Sequence, residues 1–230
     1  MRYAIYATPP QQHPLTRAAS AWLGRNAFPA SAADPAADPE AARFADLTAD
    51  PRRYGFHATL KAPFALAEGR TEAGLIAAFE AFCAMTTAVS IDRLVLRELG
   101  AFFALVPSGD AAALNALCAR VVEEFEPFRA PLSAEDVARR KPELLSERQR
   151  ELLQRWGYPY VFEEFRFHMT LTGPVPEDSR AEMREILRRR FVSFVDQALP
   201  IDHLALFCEP ERGQPFHVLR AHSLAPAAGA

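Results

Sequence analysis

One short pattern occurs twice in the chain, as Phe56-His57-Ala58-Thr59-Leu60 and as Phe167-His168-Met169-Thr170-Leu171. An extended strand sends successive side chains to opposite faces. In each copy the histidine and threonine therefore share one face, and the apolar residues share the other. A single pentapeptide of this kind says little. The constraint comes from the repetition of its surroundings. Each histidine is followed six residues on by a proline, Pro63 and Pro174, and then by a helical pattern. Ile91-Asp92-Arg93-Leu94-Val95-Leu96 begins 34 residues after His57, and Ile201-Asp202-His203-Leu204-Ala205-Leu206 begins 33 after His168. A turn and one more strand follow in both halves. A unit ordered strand, helix, strand, strand is thus written twice. It predicts an α+β fold: a bilobal, pseudo-two-fold duplicated unit with two mainly antiparallel sheets, helices outside and a central cleft. Equivalent strands meeting across that cleft would bring His57 and His168 face to face.

The remaining segments fit around this frame. Arg2 to Ala7 alternates as a first strand, and Leu15 to Leu23 has helical spacing closed by Gly24. Ala30 to Pro39 reads as a mobile low-complexity loop, and Asp50 to Gly55 as a turn carrying Arg52 and Arg53. The first motif strand covers about 56–64 and the second about 164–171. Helices are expected over 72–85, 111–125 and 177–191, with strands over 89–99, 101–106, 201–208 and 216–222. Residues 127–160 are broken by Pro127, Pro131, Pro142 and Pro159 and are rich in Arg and Glu, with helical pieces at 134–140 and 147–156. They read as a connector of solvated, ion-paired helices and a candidate lid. Residues 1–230 thus form one bilobal domain, with the first motif in a lobe over 50–126, the connector over 127–160 and the second motif in a lobe over 161–224. The tail from Ala225 to Ala230 is expected to fray.

Composition narrows the partners. The net charge of −3 provides no global basic field to gather nucleic acid. The cations are nearly all arginine, lysine occurring only at 61 and 141, and arginine suits phosphate recognition. Cys83, Cys118 and Cys208 are scattered and lack zinc spacing, which predicts buried free thiols. No apolar stretch reaches the length of a membrane span and the start lacks a leader pattern, so the expectation is a cytoplasmic protein that does not engage membrane.

Two facing imidazoles can perform concerted acid–base chemistry near neutral pH, because an ordinary histidine pKa of about 6.5 allows one to be neutral while the other is charged. Such a pair predicts a bell-shaped pH profile with both limbs near histidine values. Thr59 and Thr170 would donate hydroxyl hydrogen bonds to a phosphate held between them. Continuing the alternation adds Lys61 to the first motif face and Arg166 and Thr172 to the second. Tyr54 and Tyr6 are further candidates to line the pocket. His13, His203, His217 and His222 have no duplicated partner of this kind. A cleft of donors and cations, with no carboxylate from these strands, fits a phosphoester and calls for neither metal nor cofactor. Three functions remain open on this basis: opening of a small cyclic phosphate, opening of a 2′,3′-cyclic phosphate on an RNA end, and phosphate or nucleotide binding without turnover.

The two motifs, His57-Ala-Thr59-Leu60 and His168-Met-Thr170-Leu171, resemble the paired signature of the two-histidine phosphoesterase superfamily (LigT-like fold). The resemblance implies a metal-free phosphodiesterase with His57, Thr59, His168 and Thr170 at the catalytic positions. The stretches RYAIYATP, WLGR (22–25), YGFHATLKAPF (54–64) and RQRELLQRWGYPYVFEEFRFHMTLTGP (148–174) are similar to a branch associated with bacterial phosphonate-utilisation operons. That similarity implies a cyclic phosphate of a phosphorylated ribose as the candidate substrate, with RNA as the second choice.

Overall fold

The computed structural model describes residues 1–29 and 38–226. Most of the expected Ala30–Pro39 loop and the last residues of the tail lie outside the described residues. In chain order the elements are β1 (Arg2–Ala7), α1 (Pro14–Leu23), α2 (Pro39–Ala42), α3 (Ala49–Tyr54), β2 (Ala58–Phe64), α4 (Glu72–Met85), β3 (Val89–Ile91), β4 (Leu94–Leu99), β5 (Phe102–Pro107), α5 (Ala112–Glu124), α6 (Ala134–Arg139), α7 (Glu147–Trp156), β6 (Met169–Thr170), α8 (Arg180–Arg190), β7 (Leu199–Ile201), β8 (His203–Glu209) and β9 (His217–Ser223).

The strands form an antiparallel sheet in the order β2-β1-β8-β9, a second in the order β4-β5-β6, and a β3-β7 ribbon. Each large sheet mixes the two halves of the chain. The first motif strand, β2, lies beside β1 with the hairpin β8-β9 from the far end. The second motif strand, β6, lies beside the hairpin β4-β5 from the first half. In the ribbon, Val89 stands opposite Ile201, Ser90 opposite Pro200 and Ile91 opposite Leu199. The repeat makes Val89 equivalent to Leu199 and Ile91 to Ile201. The register is therefore self-complementary, and the pseudo-two-fold axis runs through the Ser90–Pro200 pair.

β1 is apolar on both faces because both faces are covered. Tyr3, Ile5 and Ala7 join the main core with Leu204 and Leu206 of β8. Ala4 and Tyr6 face a smaller cluster with Ala27, Phe207, Phe216 and Val218. On the main-core side α4 buries Leu75, Phe79, Phe82 and Cys83, and the Phe82 and Phe125 rings meet edge-on with centroids 5.5 Å apart. All three cysteines are free and buried, and burial pushes the Cys83 and Cys118 thiols up to about 12. Among the described residues no helix is long and apolar enough to cross a membrane.

Several elements differ from the sequence reading, each for a local reason. Residues 49–54 form the helix α3 rather than an open turn. Pro51 supplies a helix-compatible φ in the first turn, and Gly55 ends the helix at φ 81°. The run 89–99 divides into β3 and β4 because its two parts pair in different sheets. The second motif strand shrinks from 164–171 to Met169–Thr170. Upstream, the Arg166 guanidinium takes up the carbonyls of Glu163 and Phe165, and His168 takes that of Arg166, so side chains occupy the acceptors a neighbouring strand would use. The helix expected from 177 opens with a 3₁₀ turn at Glu177–Ser179 before α8 begins at Arg180.

Candidate active site

The alternation of the two motifs holds even where no ladder forms. Phe56, Ala58 and Leu60 are buried, as are Phe167, Met169 and Leu171, while His57, Thr59, His168 and Thr170 are half-buried. His57, Thr59 and Thr170 open on a cavity of about 330 Å³ whose wall also includes Thr172, Tyr6 and Tyr54, whereas His168 is not among its wall residues. Phe102 lines the same cavity, with its ring centroid 6.0 Å from that of His168. β2 and β6 lie against each other at this point.

Both histidines are held in the same way. His57 Nδ1 lies 2.8 Å from the Gly55 carbonyl, and His168 Nδ1 lies 2.7 Å from the Arg166 carbonyl, two residues upstream in each case. A carbonyl can only accept, so the proton sits on Nδ1 and the neutral ring presents Nε2 as an acceptor. In His57 that Nε2 meets Thr59 Oγ1 at 3.2 Å. The ring is stacked on Tyr6 at 3.8 Å between centroids and flanked by Tyr54 and Phe207. Burial among these rings pulls the His57 pKa down to about 4. The Gly55 hydrogen bond acts against that shift, and proximity to His168 reinforces it. His57 is therefore neutral at neutral pH, which moves it out of the ordinary histidine range expected from sequence.

The surrounding chain fixes this geometry. Thr8 Oγ1 donates to the carbonyl of Phe56 at 2.9 Å. Arg25 donates to the carbonyls of Arg52 and Arg53 at the end of α3, at 3.0 and 3.2 Å, and to that of Phe216. Trp22, fully buried, donates its indole N–H to the Leu171 carbonyl at 2.8 Å. The WLGR stretch thus braces one motif with its tryptophan and the approach to the other with its arginine. Gly55 packs so close to Ala27 that an added Cβ would lie 2.4 Å from the Ala27 Cβ.

Two of the predicted cations lie elsewhere. Ile5 pairs with Lys61 while the next residue, Tyr6, pairs with Thr59, so Leu60 is an extra residue in β2. This bulge breaks the period of two and turns Lys61 away from the motif face. Its Nζ donates to the Val122 carbonyl and pairs with Glu126, both at 2.9 Å. Burial draws its pKa down, and the carboxylate of Glu126 works against that shift. Arg166 is exposed and folded back on its own backbone, as described above. Thr172 reaches the cavity wall but is fully buried, and its Oγ1 accepts the Phe103 N–H at 3.0 Å.

The cavity's cations are Arg2 and Arg140 instead. Arg2 shares a strand face with Tyr6, four residues on, so the alternation of β1 pointed to it. Nothing in the sequence marked Arg140 or Tyr158, which reach in from the connector. The Arg140 guanidinium lies 4.8 Å from the centre of the Tyr158 ring and has no ion pair among the described residues. The phenols of Tyr6, Tyr54 and Tyr158 lie close together, and burial raises the pKa of Tyr6 and Tyr158. Both remain neutral O–H donors at pH 7. The exposed Asp50 is the one carboxylate on the wall among the described residues. Elsewhere in the connector Arg129 pairs with Glu126 at 2.6 Å and Arg148 with Glu151 at 2.9 Å, while Arg150 donates to the Leu145 carbonyl and Arg155 lies over the Trp156 ring.

Comparison with known proteins places this site in context. The chain is 41% identical over 221 residues to "Ribose 1,5-bisphosphate phosphokinase PhnN" of Janthinobacterium sp. (strain Marseille), covering 94% of this chain and 49% of that one. It is 38% identical over 224 residues to the protein of the same name in Laribacter hongkongensis (strain HLHK9), covering 96% and 51%. The chain thus spans about half the length of the curated relatives it matches. Among solved structures it is similar to E. coli LigT complexed with 3′-AMP, at 13% identity and a TM-score of 0.42, covering 97% of this chain and 98% of that one. It is also similar to TT0787 of Thermus thermophilus, at 16% identity and a TM-score of 0.45 with the same coverage. The family model described as "Protein of unknown function (DUF1045)" matches residues 59–217, and the chain belongs to that family.

Proposed function

We propose that the chain is a two-histidine phosphoesterase that opens a small cyclic phosphate without a metal ion. The observation that carries this reading is the identical mounting of His57 and His168. Each has its Nδ1–H committed to the carbonyl two residues upstream, and each precedes a threonine on the cavity wall. His57, neutral and with Nε2 as acceptor, is the base. It takes a proton from water as the water oxygen bonds to phosphorus. The ring P–O bond breaks, and the leaving oxygen takes a proton from Nε2 of His168, which enters the step doubly protonated, with Nδ1–H still held by the Arg166 carbonyl. One water is consumed and a phosphomonoester results, with both histidines restored by proton exchange. Thr59, Thr170 and Tyr158 donate to the non-bridging oxygens, and Arg140 and Arg2 balance their charge.

The substrate class follows from two supports. The cavity suits a molecule of sugar size. The relatives that match this chain over about half of their length are named for a phosphorylated ribose. The candidate is ribose 1,2-cyclic phosphate bearing a 5-phosphate. The test is turnover of that compound, of nucleoside 2′,3′-cyclic phosphates and of cyclic-ended RNA by wild type, His57→Ala and His168→Ala, with and without exhaustive chelation. Turnover by either variant, or loss of wild-type activity on chelation, would overturn the paired-histidine reading. Binding of these compounds with no turnover by the wild type would identify a ligand-binding module instead.

A further inference from the structure

A second cavity of about 300 Å³ opens beside the first, and the two share Arg2, Tyr54, Pro63 and Arg140 in their walls. Its lining carries Arg2, Arg53, Arg139, Arg140 and Arg212. They come from β1, α3, the connector and the β8–β9 turn, so the fold gathers them from four separate places. Three carboxylates answer them. Glu209, fully buried, pairs with Arg2 at 2.5 Å and lies 3.5 Å from Arg53. Asp136 pairs with Arg212 at 2.7 Å, and Glu135 pairs with Arg139. Five guanidiniums against three carboxylates leave two positive charges in excess, in a molecule whose net charge is −3. Arg53 also lies 4.6 Å over the Tyr54 ring and donates to its hydroxyl at 2.6 Å, so this tyrosine divides the two cavities with a fixed cation on one side.

From this arrangement we infer that the second cavity is a subsite for a phosphomonoester carried on the same small substrate whose cyclic phosphate sits between the histidines. The inference rests on the proposed function and adds the residues that select the substrate. A phosphomonoester is a dianion near neutral pH and suits this cationic lining better than a linkage of a nucleic-acid backbone, which carries one charge. Arginine's planar fork suits its oxygens. Arg140, bordering both cavities and free of any ion pair among the described residues, bridges the two phosphates. Asp136 competes with the ligand for Arg212.

The experiment has two arms. In the first, calorimetry measures ribose 5-phosphate and ribose binding to wild type, Arg212→Ala, Asp136→Asn and His57→Ala. Ribose 5-phosphate should bind and ribose should not. Arg212→Ala should weaken binding about tenfold or more, and Asp136→Asn, which frees Arg212, should tighten it. His57→Ala should bind as wild type does. In the second arm, the preference for a 5-phosphorylated over an unphosphorylated cyclic ribose is taken as a ratio of kcat/KM values. Arg212→Ala should reduce that ratio through KM. Binding unaffected by Arg212→Ala, weakened by Asp136→Asn, or rising with oligonucleotide length would overturn the subsite, the last pointing to RNA. The binding arm needs no turnover, so it decides the subsite even if the proposed reaction fails. An unchanged ratio with turnover intact would remove the subsite and leave the reaction standing.

Discussion

Tyr6 lies flat against His57, with the two ring centroids 3.8 Å apart and their planes 24° from parallel. The contact covers one side of the imidazole and so contributes to the burial that lowers its pKa to about 4. If His57 is the base, the acid limb of kcat/KM should fall near pH 4. Tyr6→Leu, which keeps the site apolar but loosens the stack, should move that limb up toward 6.5. A wild-type limb already at 6.5, unmoved by the substitution, would remove His57 from that role.

The same burial has a thermodynamic consequence. Below pH 6.5 the unfolded chain takes up a proton on His57, and the folded chain does not until about pH 4. The unfolded state binds more protons across this window, so stability falls as pH drops from 6.5 to 4. Below 4 this group adds no further loss. Urea melts of wild type and His57→Gln at pH 4 and 7 should show the larger drop in the wild type.

Trp22→Phe keeps an aromatic ring at the α1 anchor, with some loss of volume, and leaves the Leu171 carbonyl without its donor. The expected loss is about 1–3 kcal/mol in a denaturant titration, the cost of an unsatisfied buried acceptor. Because Leu171 adjoins Thr170, kcat should fall in the folded fraction as well.

Gly55→Ala meets two obstacles, a φ of 81° and the Ala27 Cβ at 2.4 Å. It should destabilise by about 1–3 kcal/mol and displace the carbonyl that holds His57. Adding Ala27→Gly removes the collision but not the backbone strain, so the double variant should recover only part of the stability. Full recovery would show that φ contributes nothing.

Lys61→Met tests the bulge in β2. With Nζ bound to Val122 and Glu126, the substitution should change the melting temperature and leave turnover per folded molecule as in the wild type. A fall in kcat/KM of tenfold or more at full folding would return Lys61 to the motif face.

Much of this was legible in the chain. The exposure pattern from Arg166 to Leu171 follows a period of two although only two of those residues are in a strand, because alternation belongs to extended backbone rather than to the ladder. What failed was extrapolation along β2. No glycine or other residue in the Leu60 neighbourhood announces a bulge, and one extra residue turns Lys61 to the other face until a second register shift returns Phe64 to the core. The cations illustrate the same limit. Arg2 could be found from Tyr6 by counting along one strand, but Arg140 depends on how a proline-broken connector folds back, which no periodicity encodes. The duplication was readable, whereas the exchange of hairpins between its halves was not, since pairing partners are set by tertiary packing.

That exchange sets the order of events during synthesis. Arg2 and Glu209, opposite one another in the sheet, are 207 residues apart in sequence. β1 leaves the ribosome ahead of β8, apolar on both faces, and waits for that partner while the intervening residues are made. Until then the sheet under His57 has only β1 and β2, and Tyr6 lacks Phe207 and Phe216 beneath it. Such long-range pairing slows folding and leaves an unpaired edge exposed in the interval. Both motifs are translated before the β8–β9 hairpin, but the sheet that carries the first of them is complete only when that hairpin arrives.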